Sequence, residues 1–200
     1  MKIYLVRHGE TTGDIEDRYG GDYDDNLSPK GIKESKALAQ KLQGRKIEII
    51  YVSPRIRALE TASIVNKKLN VGLKIVENLK ERNNYGVLTG LIKSEAKERH
   101  PEEVKKLETG FNHNVKKSES YPKFKKRITK AFYGIIKNDS YKTITIITHG
   151  NAIRCIIREI LKSGELKSMG DCAIFTINKN GSRLSLVKLD GASLERKNKK

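Results

Sequence analysis

The 200-residue sequence has few of the residues that build cross-links or metal centres. It contains two cysteines, Cys155 and Cys172, and four histidines that stand far apart, at positions 8, 100, 113 and 149. Two cysteines are too few for a disulfide framework, and these histidines lack the spacing of a zinc site. We therefore expect no disulfide scaffold and no bound metal, and the cytoplasm is the expected location.

Long apolar runs are also missing. No stretch of the sequence approaches the roughly 20 residues that a membrane-spanning helix needs. The first two residues lead directly into an apolar strand pattern, without the features of a cleavable signal peptide. The nucleotide-binding pattern GxxxxGK[ST] is absent as well. These absences argue against a membrane protein and against a P-loop NTPase.

Acidic residues are in the minority. The chain has 41 Lys and Arg against 24 Asp and Glu, a formal net charge of +17. Such a charge allows a remote alternative, a nucleic-acid-binding protein that uses lysine-rich stretches such as 123–127. No RNA-binding motif or zinc pattern accompanies those lysines, and they fit the polar side of a helix whose apolar side carries Phe124 and Phe132. We expect the charge to steer small anionic substrates instead.

Two segments of the chain end in the same His-Gly pair after an apolar run. Residues 3–9 read IYLVRHG, and residues 143–150 read TITIITHG. Runs this rich in Ile and Val are typical of strands in a parallel sheet, whose carboxyl ends meet at the ligand-binding edge of an α/β fold. His8 and His149 should therefore lie close together. A helix predicted over 151–161 would add free N–H groups that favour an anion such as phosphate.

These segments resemble the histidine phosphatase superfamily, also called phosphoglycerate mutase-like, whose signature is RHG at the first strand and a distant HG. The resemblance covers nearly the whole chain, because further family segments follow in the family's order. They are RYGG at 18–21, LSPKG at 27–31, SPRIRALETA at 53–62 and ERNNYGVLTG at 81–90. RHG alone is a weak match, but the ordered set is specific.

The pattern and the resemblance together imply an α/β fold. We expect a three-layer α/β/α sandwich with a mostly parallel central sheet and an antiparallel edge strand. Asn180-Gly181 between two apolar runs predicts the hairpin that makes this edge. A short third strand is predicted at 74–77. The expected organisation is a single domain over 1–190, followed by a basic C-terminal tail over 191–200.

The resemblance also implies a catalytic site. His8 would be the nucleophile that becomes a phosphohistidine, and Glu81 would protonate the leaving oxygen and later deprotonate water. Two arginines beside His8 would lower its pKa from about 6.5 and keep the ring nucleophilic. A carboxyl group near a phosphate dianion is disfavoured as an anion, so Glu81 could hold the proton that it delivers. The implied substrate-binding residues are Arg7, Arg57, His149, Gly150, Gly20 and Gly21.

Simpler explanations exist for single members of this set. By itself Glu81 would be a solvated loop carboxylate and Arg57 an exposed helix residue. Asp14 departs from the family, in which many relatives carry an asparagine near the phosphate. A carboxylate there would repel phosphate unless it turned away, were protonated or bound a basic substrate group. Asp14 is therefore left out of the predicted site.

The predicted activity is that of a metal-independent phosphomonoester phosphatase without a cofactor, acting on a small anionic phosphate ester. The alternative is a phosphoglycerate mutase that depends on 2,3-bisphosphoglycerate, because the loop 81–93 and Asn151 resemble the mutase pattern. Mutases, however, carry an Arg-Arg pair that helps bind the substrate carboxylate, and this chain has VKKLE at 104–108. A lysine cannot make the forked contact of a guanidinium. The identity of the substrate and a homodimeric state stay open.

Overall fold

The computed structural model describes residues 1–109, 114–137 and 140–195. Its six strands form one sheet in the spatial order β3-β2-β4-β1-β5-β6. The strands are β1 (Lys2–Arg7), β2 (Ile49–Val52), β3 (Gly72–Ile75), β4 (Thr143–Thr148), β5 (Leu166–Asn180) and β6 (Arg183–Leu194). The described helices are α1 (Thr12–Ile15), α2 (Pro29–Leu42), α3 (Ile56–Leu69), α4 (Lys93–Arg99), α5 (Pro101–Lys106), α6 (Tyr121–Ile136) and α7 (Gly150–Cys155), which continues as a π-helical turn over Ile156–Ile160.

The centre of the sheet is parallel. Strand β1 pairs with β4 in parallel, and Arg7 lies opposite Thr148 in this register. The residue that follows each of these two is a histidine, so both histidines leave the same edge of the sheet side by side. Strand β5 pairs antiparallel with β1, and β6 pairs antiparallel with β5. The predicted mostly parallel sheet with an antiparallel edge is confirmed.

Helices cover both faces of the sheet, because successive side chains of each strand point to opposite faces. Ile3 and Leu5 of β1 belong to one buried cluster, which contains Phe124 and Phe132 of α6. Tyr4 and Val6 belong to the other cluster, which α2 and α3 complete with the side chains Leu38, Leu42, Ala58 and Ala62. The predicted three-layer arrangement follows from this alternation.

Several predicted boundaries move. The third strand, predicted at 74–77, lies at Gly72–Ile75. The Asn180-Gly181 hairpin is present, with Gly181 at a positive φ of 57°. Strand β6 continues to Leu194, beyond the predicted domain end at residue 190, because residues 192–194 pair with β5. The last part of the predicted tail, 196–200, lies outside the described residues.

Two features are absent from the part of the chain that the structure describes. None of its helices is both long and apolar enough to cross a membrane. Its His, Cys, Asp and Glu side chains form no group of three or more that could hold a metal ion. His113 lies outside the described residues.

Candidate active site

His8 lies directly after β1 with a buried ring, 6% exposed. Its Nδ1 is 2.8 Å from the carbonyl oxygen of Gly9, which can only accept, so Nδ1 carries the proton. Its Nε2 accepts a hydrogen bond of 3.2 Å from Arg57 Nε. Burial is the largest cause that holds the pKa of His8 well below 6.5, followed by the charges of Arg57 and Arg7. The sequence predicts only the effect of the two arginines, and burial in the fold lowers the pKa of His8 further.

The turn after His8 is shaped by two glycines in close contact. A Cβ atom at Gly9 would lie 2.7 Å from the carbonyl oxygen of Gly31, near the start of α2. A Cβ atom at Gly31 would lie 2.0 Å from the carbonyl oxygen of Glu10. Neither backbone could approach so closely with a larger residue. The RHG and LSPKG segments are therefore two sides of one contact that sets the direction of His8.

Arg7 is the last residue of β1 and lines the cavity next to His8. Its Nη1 donates to the carbonyl oxygen of Met169 at 3.1 Å, and its Nη2 pairs with Asp171 at 3.2 Å. Its Nε is buried and has no hydrogen-bond partner among the described residues. Burial raises the pKa of Asp171 above its usual range, although the charge of Arg7 opposes this shift. Arg7 thus keeps one buried donor unused.

Arg57 is held almost completely by the loop that precedes α2. Its Nη1 donates to the carbonyl oxygen of Tyr23 and to Asp25, both at 2.7 Å, and its Nη2 donates to the carbonyl oxygen of Gly21 at 2.8 Å. The side chains of Arg57 and Asp25 are only 5% and 8% exposed. Because both terminal nitrogens are engaged, the guanidinium presents its Nε to His8.

His149 is fully buried and is the residue before α7. Its ring centroid lies 5.1 Å from that of His8, and its Nε2 is 2.7 Å from Ser53 Oγ. If the Ser53 hydroxyl donates to Nε2, the ring proton lies on Nδ1, which is buried and has no partner in the described part of the chain. Burial, and after it the charge of Arg57, holds the pKa of His149 well below 6.5.

Glu81 is a buried carboxylate, 8% exposed, so the solvated-loop explanation is wrong. Its Oε1 accepts from the backbone N–H of Arg82 at 2.8 Å, and its Oε2 accepts from the backbone N–H of Asn151 at 3.1 Å. A Cβ atom on Gly150 would lie 3.8 Å from Glu81 Oε2 and 4.0 Å from Arg7 Nε. The carboxylate and the unused donor of Arg7 thus flank the start of α7.

These side chains surround one cavity of about 260 Å³. Seven of the eight predicted site residues line it, and the eighth, His149, is buried beside His8. The complete lining is Arg7, His8, Thr11, Gly13, Asp14, Arg18, Gly20, Gly21, Tyr23, Asp25, Arg57, Glu81, Gly150, Asn151, Arg154 and Met169. The predicted set therefore lies together, and nine lining residues were not in it.

Asp14 is one of these additional lining residues, although the sequence analysis leaves it out of the site. Its Oδ2 accepts hydrogen bonds from the backbone N–H and from the hydroxyl of Thr11, both at 2.9 Å. Thr11 in turn accepts from the backbone N–H of Asp14 and caps α1. This oxygen is turned toward the backbone, which is one of the three arrangements that reconcile a carboxylate with a nearby phosphate.

Comparison with known proteins agrees with this geometry. The family model of the histidine phosphatase superfamily (branch 1) matches residues 3–190. A Hydrogenobacter thermophilus protein named a candidate phosphoserine phosphatase 2 is 29% identical over 94% of this chain and 95% of that protein. The Entamoeba histolytica phosphoserine phosphatase in complex with 3-phosphoglyceric acid has 25% identity and a TM-score of 0.74, with 94% and 96% of the two chains covered.

The α-ribazole phosphatase of Shigella flexneri shares the fold, with a TM-score of 0.84 at 19% identity over 99% of this chain and 100% of that one. The family model extends from the first strand to the edge hairpin and includes both His-Gly pairs. The chain therefore belongs to the histidine phosphatase superfamily, branch 1.

Proposed function

We propose that this protein is a metal-independent phosphatase that moves the phosphoryl group of a small phosphomonoester to His8 Nε2 and then to water. Membership of the superfamily and the phosphatase names of its relatives support a phosphoric monoester hydrolase. One observation carries the mechanism: Nδ1 of His8 is bound to the carbonyl oxygen of Gly9, which leaves the lone pair of Nε2 as the nucleophile.

In the first step, the lone pair of His8 Nε2 attacks phosphorus, and the bond between phosphorus and the ester oxygen breaks. Glu81, in its protonated form, gives its proton to that oxygen and releases an alcohol. Arg57 Nε, which bonds Nε2 in the free site, is then available to a phosphoryl oxygen. The unused donors Arg7 Nε and His149 Nδ1 supply two further hydrogen bonds to the transferred group.

In the second step, water attacks the phosphohistidine while the Glu81 carboxylate takes its proton. The bond between phosphorus and Nε2 breaks, and the electron pair returns to His8. Orthophosphate leaves and Glu81 is protonated again, so the sum is ester plus water giving alcohol plus phosphate. The low pKa of His8 supports this cycle, because the ring must be neutral before each attack.

A phosphoglycerate mutase is the second candidate, and the cavity lining favours the phosphatase. Among the described residues, neither Lys105 nor Lys106 lines the cavity, and Lys106 pairs with Glu103 instead. The 104–108 segment therefore supplies no counterpart of the mutase Arg-Arg pair. The relatives suggest the first compounds to try, O-phosphoserine and 3-phosphoglycerate.

The test is phosphorus NMR of the purified protein with these two compounds and a panel of other phosphate esters. One series contains a chelator and no added metal, and another contains 2,3-bisphosphoglycerate. We expect orthophosphate from at least one ester in the presence of the chelator. Formation of 2-phosphoglycerate that depends on the bisphosphate would make the protein a mutase. With p-nitrophenyl phosphate, whose leaving group needs no proton, Glu81→Gln should accumulate phosphoenzyme because hydrolysis loses its base, and an absence of phosphoenzyme from this ester would contradict the mechanism.

A further inference from the structure

Four arginines line the cavity, and they differ in how their charge is balanced. Three of them have a carboxylate within ion-pair distance. These pairs are Arg7 with Asp171, Arg18 with Glu16 and Arg57 with Asp25. Over the described residues, Arg154 has no such carboxylate. It is therefore the lining arginine whose charge is left for a ligand.

Arg154 is nevertheless fixed in place. Its Nη1 donates to the carbonyl oxygen of Leu166 at 2.6 Å, at the start of β5. Asn151 and Met169 line the same cavity. No acceptor among the described residues is recorded for its other N–H groups. A guanidinium held by one nitrogen, with the rest of its fork free, can receive an oxyanion through two parallel hydrogen bonds.

The helix sets where this cation lies relative to the chemistry. Gly150 and Arg154 are four residues apart on α7, so they share one face and lie about one turn, roughly 5–6 Å, from each other. Gly150 adjoins Glu81, the proposed proton donor to the leaving oxygen. Arg154 therefore lines the same cavity about one helical turn from the residue that adjoins the proposed proton donor, within reach of a group attached to the leaving oxygen.

We propose that Arg154 binds a carboxylate on the leaving group, so that the preferred substrates are phosphomonoesters of small hydroxy acids or amino acids. This proposal rests on the proposed phosphatase function. It also explains how a chain without the mutase Arg-Arg pair recognises a carboxylate: the forked contact comes from α7 instead of the 104–108 segment.

Matched esters that differ in the carboxylate test the proposal. 3-Phosphoglycerate is compared with glycerol 3-phosphate, and O-phosphoserine with O-phosphoethanolamine, for the wild type and Arg154→Met. In Arg154→Met we expect kcat/KM for the two carboxylated esters to fall roughly 10- to 100-fold, the range of a lost charge-assisted contact. For the two esters without a carboxylate, kcat/KM should change less than about threefold. Arg154→Lys should recover part of the loss, and Arg183→Met, at the exposed hairpin, is the control.

Each outcome is informative. An equal loss for both members of each pair would overturn the carboxylate site, since it would indicate general damage to the cavity. A wild type that prefers the carboxylate-free esters would overturn it as well, while the phosphatase function would stand. Hydrolysis of no ester at all would instead contradict the proposed function. Thermal unfolding of each variant separates loss of recognition from loss of folding.

An independent observation concerns the segment that carries Glu81. Arg127 lies in the middle of α6 and is not part of the cavity lining. Its Nη1 donates to the carbonyl oxygens of Asn78 (3.1 Å) and Lys80 (2.7 Å), and its Nη2 donates to that of Glu81 at 2.8 Å. Its Nε and Nη2 also make a forked pair with Glu119, at 2.8 Å each. One guanidinium therefore fastens three carbonyls of the same short segment.

Residues 80–85, which include Glu81, form neither a helix nor a strand, so the contact with Arg127 holds this segment in place. A 3₁₀ turn covers Glu77–Leu79, the next covers Gly86–Leu88, and Glu81 stands between them. The structure assigns to Arg127 the part of a positioning residue, which acts through Glu81 without touching the substrate. A lysine could not reproduce it, since a single ammonium group lacks the planar fork. This assignment too rests on the proposed function.

The leaving group distinguishes positioning from general stability. p-Nitrophenolate leaves without a proton, whereas an alkoxide needs the acid. In Arg127→Lys we expect phosphoenzyme formation from an alkyl ester to slow at least about tenfold, less than the full rate effect of a general acid because the acid is displaced and not removed. Phosphoenzyme formation from p-nitrophenyl phosphate should change less than about threefold. Glu81→Gln should show the same split, and Lys126→Met, at an exposed neighbour on α6, should show none. Equal slowing of both esters, or no slowing, would overturn the assignment.

Discussion

The ends of β1 and β4 carry the same His-Gly pair, yet the two histidines have different surroundings. His8 binds the carbonyl oxygen of Gly9 through Nδ1 and lines the cavity. His149 binds Ser53 through Nε2 and is completely buried, with Nδ1 unused. For each histidine, the hydrogen-bond partner of one ring nitrogen therefore determines whether the other nitrogen carries the proton. The carbonyl oxygen can only accept, so the proton of His8 lies on Nδ1 and its Nε2 keeps a lone pair. The Ser53 hydroxyl can donate or accept, and where it donates, the proton of His149 lies on Nδ1.

The largest expected effect separates the two histidines by function. His8→Ala should abolish turnover and phosphoenzyme formation, because His8 is the one imidazole among the described residues that line the cavity. His149→Ala should slow both by roughly 10²–10³-fold, as expected for one donor to developing charge, while phosphoenzyme still forms. Rapid-quench labelling measures each rate. Phosphoenzyme in His8→Ala, or its complete absence in a folded His149→Ala, would reverse the two roles.

The glycines of the two His-Gly pairs, Gly9 and Gly150, should differ in how much their substitution lowers stability. In Gly9→Ala the new methyl group would lie 2.7 Å from a backbone oxygen of Gly31, and relieving this overlap should cost about 1–3 kcal/mol of unfolding free energy. In Gly150→Ala the nearest atom is Met169 Cε at 3.5 Å, an ordinary contact. Urea denaturation should therefore show a clear loss only for Gly9→Ala. Equal midpoints would contradict the close contact between the RHG and LSPKG segments.

A shared property of the two histidines predicts the response to pH. Both pKa values are lowered by burial, so below pH 6.5 the unfolded chain binds protons that the folded chain does not. The free energy of unfolding should therefore fall as pH drops through 6.5, by up to about 1.4 kcal/mol per pH unit for each histidine. His8→Asn and His149→Asn should each make the slope shallower. Urea denaturation at several pH values measures it, and an unchanged slope in both variants would refute the assignment.

The smallest effect concerns the partner of His149. Ser53→Ala removes the hydroxyl that, as a donor to Nε2, would keep the ring proton on Nδ1. We expect phosphoryl transfer to slow roughly fivefold, which corresponds to the loss of one neutral hydrogen bond of about 1 kcal/mol. Thr145→Val, on the strand β4 that His149 follows, is the control, because its buried hydroxyl has no hydrogen-bond partner among the described residues. Slowing of similar size in the control would indicate a packing effect instead of a tautomer effect.

Much of this arrangement could be predicted from the sequence because it depends on local pattern. Short apolar runs rich in β-branched residues mark the strands, and Asn180-Gly181 marks the hairpin. The contributions of Arg127 and Arg154 could not be predicted in this way. Each depends on carbonyl oxygens far along the chain, those of 78–81 and of Leu166, and no local pattern reports such contacts. One signal in the sequence could have identified Arg154: it follows Gly150 by four residues in the predicted helix and so lies on the same helical face.

The residue pattern alone predicts the fold class and the two His-Gly strand ends, because apolar runs and glycine placement act over a few residues. The other residues of the candidate site, such as Arg57 and Glu81, are implied only by the resemblance to the superfamily. The folded structure sets the partners of each histidine ring, the lining arginine that has no carboxylate partner among the described residues, and the burial of Glu81. Those properties arise where β1, β4, α7 and the 81–82 loop meet. Burial and hydrogen bonding between distant segments, which set protonation and charge balance, exist only once the chain has folded.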